Sequence, residues 1–204
     1  MAKKKLIWIT GGMASGKSTL RNQLLDLLKK YDGKLIKEPG LEYTDYGNVV
    51  AVGDCTKKNQ CNGLDSSFGR LKKDGALATT EFCIKNYNIT ILEGAQTSAQ
   101  WVLPLCEMCL KHNCRFYLVH LDLRYWENYQ RLRTRLLASG KTENDITDDK
   151  LESIRGKNNQ ARLIDEKCTL TGFVKVIKLN TEGMSTEDKL YNVINGTKLT
   201  KYLQ

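Results

Sequence analysis

Residues 6–19, LIWITGGMASGKST, limit what this chain can fold into more than any other stretch. An apolar run rich in β-branched and aromatic residues stops at two glycines. Gly16, Lys17 and Ser18 follow after a fixed spacing, completing the pattern Gly11-x-x-x-x-Gly16-Lys17-Ser18. From residue 16 to about 31 apolar residues recur at helical spacing, with Leu20, Leu24, Leu27 and Leu28 expected on one face. A strand, a glycine loop and a helix in that order make a phosphate cradle. Glycines let successive backbone N–H groups point inward, and the positive end of the helix adds to their field. Gly11, Gly12, Met13, Ala14, Ser15, Gly16, Lys17, Ser18 and Thr19 are therefore expected to hold a nucleoside triphosphate. Lys17 should reach the β- and γ-phosphates, and Ser18 should ligate Mg²⁺.

The second metal carboxylate is expected from the end of a neighbouring strand. ITILEG places Glu93 there, with helix capping as its alternative use. The guanine-reading pattern Asn-Lys-x-Asp is absent, and KLNTEG at 178–183 is only a loose substitute, so ATP is the default donor.

Strand-like and helix-like segments alternate along the chain. Strands are expected at 4–10, 34–40, 88–94, 114–123 and 172–180, and helices at 16–31, 75–86, 97–112 and 186–203. This rhythm predicts an α/β fold, a three-layer sandwich in which helices cover both faces of a parallel sheet. The 204 residues suit one domain. Two regions break the rhythm: a polar, glycine-containing stretch at 41–74 and a long charged helical stretch at 124–167. In a sheet whose ligands bind beyond the carboxyl ends of its strands, such stretches hold the substrate or close over it. They are expected to be an acceptor-binding insertion and a lid.

The chain carries a net charge of +9, with lysines clustered at 3–5, 29–30, 57–58 and 72–73. That is either a solvated basic surface or one that attracts a polyanion. No apolar stretch approaches the roughly 20 residues that a membrane helix needs. The basic start runs into a glycine loop rather than a cleavage site, so it reads as a first strand and the protein as cytoplasmic. Seven cysteines fit a reducing compartment. Cys106, Cys109, His112 and Cys114 raise the question of a metal, but the second half of a zinc framework is missing, which favours core or surface thiols.

A phosphoryl acceptor needs a base and cations near the moving charge. Only two histidines exist, and His120 falls inside a strand segment, so a carboxylate is the expected base. Glu38, Asp54 and Asp65 stand at suitable places, with Asp54 and Asp65 the preferred pair; each could equally be a turn or cap residue. Arg131 and Arg135 share a helix face at i, i+4, near Arg124, Arg133 and Lys141. They form either a solvated face or a lid that brings arginines over the triphosphate.

KEPG at 37–40 is similar to the Glu-Pro-Gly element of thymidylate kinases, as is ILEG followed by an arginine-bearing helix. The rest of that family's substrate pattern does not follow. YGNVVAVGDCTKKNQCNGLDSS at 46–67 more closely resembles the bacteriophage 5-hydroxymethyluracil DNA kinases, over residues 5–140. That resemblance implies ATP and Mg²⁺ as cofactors, a modified pyrimidine in DNA as acceptor, and the host cytoplasm as location. By position, the Asp54–Asp65 loop would handle the acceptor base. Lys57, Lys58, Arg70, Lys72 and Lys73 would track the DNA backbone, and Tyr43, Tyr46 or Phe68 would stack on the base. A deoxynucleoside monophosphate kinase and a DNA-binding ATPase without acceptor chemistry are the alternatives.

Overall fold

The computed structural model describes residues 3–56, 64–94 and 97–203. Among them, seven strands form one sheet in the order β2-β3-β4-β5-β1-β6-β7. The strands are β1 (Lys4–Gly11), β2 (Lys34–Glu38), β3 (Leu41–Asp45), β4 (Val49–Val52), β5 (Ile89–Glu93), β6 (Cys114–Asp122) and β7 (Lys175–Asn180). The helices are α1 (Lys17–Leu28), α2 (Leu64–Asn86), α3 (Val102–Lys111), α4 (Tyr125–Ala138), α5 (Asp148–Leu170) and α6 (Thr186–Thr197). β4, β5, β1, β6 and β7 run parallel, which is the expected α/β architecture.

β1 lies at the centre and is buried on both faces, so its sequence is a continuous apolar run rather than an alternating one. One side chain in two feeds each core. Leu6 and Trp8 pack with α2, α3 and α5, while Ile7 and Ile9 pack with α1 and α6. On α1 the buried face is Leu20, Arg21, Leu24, Leu25 and Leu28. Leu27, expected there, is exposed; Leu25 takes its place because the helix is rotated to bury Arg21.

The region at 41–74 is not an appendage. It supplies β3, β4 and the first half of α2, and Val49–Val52 are all buried, paired antiparallel with β3 and parallel with β5. The edge belongs to β2, which pairs antiparallel with β3 through a Pro39-Gly40 turn. Gly40 has a φ of 76°, which a side chain would strain. The expected helix at 75–86 is the second half of α2, whose backbone breaks at Lys72 (φ 54°). α6 ends at Thr197, short of the expected 203, and a 3₁₀ turn at Thr200–Tyr202 follows. No described helix is long and apolar enough to cross a membrane.

Lys5 is only 2% exposed at the start of β1. Its ammonium donates to the carbonyl oxygens of Thr197 and Lys198 and lies 5.1 Å from the centre of the Tyr117 ring. Burial, reinforced by Lys201, Arg115, Lys198 and Lys175, pulls its pKa down to about 8. The unfolded chain keeps the ordinary lysine value near 10.5. Between these values the unfolded state therefore binds the extra proton, and stability from this group rises with pH. We expect the stability of the wild type relative to Lys5→Met to rise by on the order of 2 kcal/mol from pH 7.5 to pH 10.5. Urea unfolding at stepped pH measures it, and a flat difference would contradict it.

Candidate active site

The loop after β1 turns on Ala14 (φ 57°) and Gly16 (φ 93°). Gly16 caps α1 without a side chain, and no acidic residue sits in the helix's first turn. The first N–H groups of α1 therefore keep their positive end unneutralised toward a cleft of about 480 Å³. A Cβ on Gly11 would lie 2.7 Å from both the Leu121 carbonyl oxygen and Ser15 Oγ, so only glycine lets the loop close on β6. Ser15 is completely buried, and among the described residues its hydroxyl has no hydrogen-bond partner. Lys17 Nζ donates to the carbonyls of Gly12 (2.7 Å) and Gly11 (3.1 Å), poised above the loop. An orphaned hydroxyl, an uncapped helix and a lysine over glycines are the features a triphosphate fits.

Glu93 ends β5 beside the loop, with one oxygen 3.4 Å from Ser18 Oγ and the other 2.7 Å from the Arg21 guanidinium. The Arg21 and Glu93 side chains are 1% and 3% exposed. Burial pushes the Glu93 carboxyl up, against the opposing charges of Arg21 and Lys17. A hydroxyl and a carboxylate face each other as magnesium ligation requires, and Arg21 fixes the carboxylate's orientation.

Across the cleft stand Arg131 and Arg135 of α4 and Lys157 of α5. Arg131 is aimed by Glu127 (3.2 Å) and the Thr181 carbonyl (3.4 Å). Arg133, two residues on, points away and pairs with Glu143 at the surface. The expected lid is not freestanding: Ile154, Ala161, Ile164 and Cys168 anchor α5 in the core.

Of the three candidate carboxylates, Asp65 alone lines this cleft. It lies in the first turn of α2 rather than in a loop, close to Gly94. Asp54 follows β4 at the same carboxyl edge and accepts from the Thr56 N–H (3.1 Å) and hydroxyl (2.7 Å). The Asp54 N–H donates to Ser67 Oγ (3.2 Å), which donates to buried Glu42 (2.6 Å). Arg70 grips the same carboxylate at 2.6–2.9 Å. Burial would raise the Glu42 pKa, but these bonds hold it below the ordinary value. This network ties β3 and β4 to the start of α2, the helix that carries Asp65.

Glu38 does not join the site. The Pro-Gly turn carries it to the exposed sheet edge. Tyr43 and Tyr46 are buried, Tyr43 against Phe82 and Tyr46 bonded to the Cys55 carbonyl (2.9 Å), so neither offers a stacking face. Phe68 stacks on Trp101 and is half-buried. Lys57 and Lys58 lie outside the described residues. Among the described residues no cluster of three or more histidine, cysteine or acidic residues could hold a metal. Cys106, Cys109 and Cys114 are buried thiols, and His112 pairs with Glu81 at 3.1 Å.

Sequence reading missed Arg21, Lys157 and a pair of asparagines. Asn128 of α4 is fully buried, donates to Asn158 of α5 at 2.8 Å, and packs with it on Gly12. Buried polar residues within amphipathic helices were the only available signal. A Cβ on Gly12 would fall 1.8 Å from Asn158 Oδ1 and 2.6 Å from Asn128 Nδ2. Gly12→Ala should therefore cost about 1–3 kcal/mol through overpacking and weaken nucleotide binding as the loop shifts. Thermal melts with and without ATP check this; an unchanged Tm and unchanged ATP shift would refute the contact.

No family model matches the chain, and no curated protein matches it in sequence. Among solved structures, deoxyadenosine kinase from M. mycoides with bound dATP is 15% identical with a TM-score of 0.49, over 95% of this chain and 98% of that one. Deoxyadenosine kinase from M. mycoides with bound dCTP is 14% identical with a TM-score of 0.45, over 96% of this chain and 99% of that one. The likeness is one of shape, and nothing about substrate follows from it.

Proposed function

We propose that this chain is a magnesium-dependent kinase that moves the γ-phosphoryl group of ATP to the 5-hydroxymethyl group of a pyrimidine in DNA. The observation that carries the kinase reading is the convergence of Arg131, Arg135 and Lys157 on the phosphate loop, with Asp65 lining the same cleft. Phosphoryl transfer needs positioning and charge neutralisation more than covalent chemistry, and this cleft supplies both.

The loop from Gly11 to Thr19 holds the triphosphate through its amides, and Lys17 exchanges its carbonyl partners for phosphate oxygens. Ser18 and Glu93 hold magnesium, which supplies charge neutralisation at the phosphates. Arg131 and Arg135 meet the charge that develops on the transferred group. Asp65 accepts the proton of the attacking hydroxyl, and Asp54 shapes the chain entering the acceptor side. The DNA acceptor is supported by the resemblance at 46–67 and by the net charge of +9.

Asp65→Asn should lower transfer at least roughly 10²-fold while ATP binding persists, and Asp54→Asn should act more weakly. The fate of a γ-phosphate label separates the readings. Label in hydroxymethyluracil DNA supports this one. Label on free deoxynucleoside monophosphates alone favours a nucleotide kinase, and label only in inorganic phosphate favours a DNA-stimulated ATPase.

A further inference from the structure

At the other end of the sheet lies a second cleft, of about 350 Å³, and we propose that it is a separate nucleotide-binding site, taking a phosphorylated nucleoside either free or as one unit of a strand. Lys3 precedes β1, Arg115 to Tyr117 open β6, Phe173 and Lys175 lead into β7, and Lys198 caps α6. β1 runs from Lys4 to Gly11 between the two clefts, which at about 3.3 Å per residue separates them by roughly 23 Å.

The lining has two chemistries. Lys3, Arg115, Lys175 and Lys198 make a cationic rim, and no aspartate or glutamate lies among the lining residues. Below the rim the apolar surface open to a ligand is that of Phe173 and Leu110, 36% and 64% exposed, with Phe116 and Tyr117 buried beneath it. A flat base against the floor and a phosphate on the rim use both halves at once. An inorganic anion would leave the aromatic floor bare, and a neutral apolar ligand would leave the cations unmatched.

Lys198 carries a further mark. It sits in the left-handed region (φ 56°, ψ 48°) at the C-cap of α6, where glycine is the ordinary residue. A side chain kept there despite the strain lines the cleft, as strained residues at ligand sites do. Mutual repulsion also marks the cluster: burial, then Lys201, Arg115, Lys198 and Lys175, together depress Lys5 behind the rim. A bound phosphate would relieve that repulsion.

The test uses the full chain, with oligothymidylate and dTMP titrated separately by calorimetry. Arg115→Ala with Lys175→Ala, and Phe173→Ala alone, should each weaken binding of at least one probe about tenfold or more. Lys198→Gly should weaken the same probe several-fold without lowering Tm, because glycine relieves the backbone; this variant separates binding from folding. With two of the four rim cations removed, the salt slope for the oligonucleotide should flatten by about 1.4 in the Arg115→Ala, Lys175→Ala variant. A loss confined to the oligonucleotide identifies a strand unit, and one confined to dTMP identifies a free nucleotide; both support the site. Unchanged binding of both probes overturns it, as does sensitivity to charge with none to Phe173→Ala, which marks a bare electrostatic patch. The outcome does not depend on the acceptor at the phosphate loop, since label transfer reads that cleft alone.

Discussion

Glu93→Gln should unfold more easily than the wild type by about 3–5 kcal/mol and show no measurable phosphoryl transfer. The substitution is isosteric, so packing survives; what fails is charge. Arg21, with its side chain 1% exposed, loses the negative charge of a carboxylate 2.7 Å away, which its bonds to the neutral Asn22 amide do not replace. A double variant, Arg21→Met with Glu93→Leu, removes both charges and should recover most of the stability, because a buried ion pair often gains little over a well-packed apolar pair. It should remain inactive, because the carboxylate facing Ser18 at 3.4 Å is gone. Urea unfolding and label transfer on the two variants separate the structural role from the catalytic one. An active double variant would show that Glu93 holds no metal.

Arg131→Ala and Arg135→Ala should each lower kcat by roughly 10²–10³-fold while KM for ATP moves only a few-fold. Their charge is useful where the transferred group sheds its bonds, less so in the ground state. The Arg131 side chain is 31% exposed and its ion pair with Glu127 is a helix-surface one, so Tm should hardly change. Arg133→Ala is the control. It lies on the same helix but faces Glu143, away from the cleft, and should keep wild-type turnover. Equal losses in all three variants would mean that α4 matters through its folding rather than through two aimed guanidinium groups.

The phosphate loop was legible because its spacing, its preceding strand and its following helix are all local in sequence. That Arg131 and Arg135 share a face was legible for the same reason, since i, i+4 neighbours do so whatever the tertiary fold; that this face lines the cleft comes from the packing of α4 and α5. Glu38 misled because Pro39-Gly40 reads alike as a strand stop at a ligand site and as a hairpin turn at a sheet edge. Only the pairing of β2 with β3 decides which. The stretch at 41–74 looked like an insertion because β3 and β4 are short and β3 carries Glu42 and Thr44. These polar residues are buried at 3% and 0% exposure, satisfied by Ser67, Arg70 and backbone partners. Such partners are distant in sequence, so no window can register them. Arg21 and Asn128 were hidden in the same way: each looks like a surface residue until the element facing it is known.

Two DNA duplexes of the same sequence, one with thymine and one with 5-hydroxymethyluracil at a single position, differ there by one hydroxyl. Each is incubated with the protein, magnesium and γ-labelled ATP, and label is counted in the DNA. Label is expected in the hydroxymethyluracil duplex, none in its thymine twin, and none in either with Lys17→Ala. Equal label in both duplexes, or label found only in inorganic phosphate, would contradict the proposed transfer.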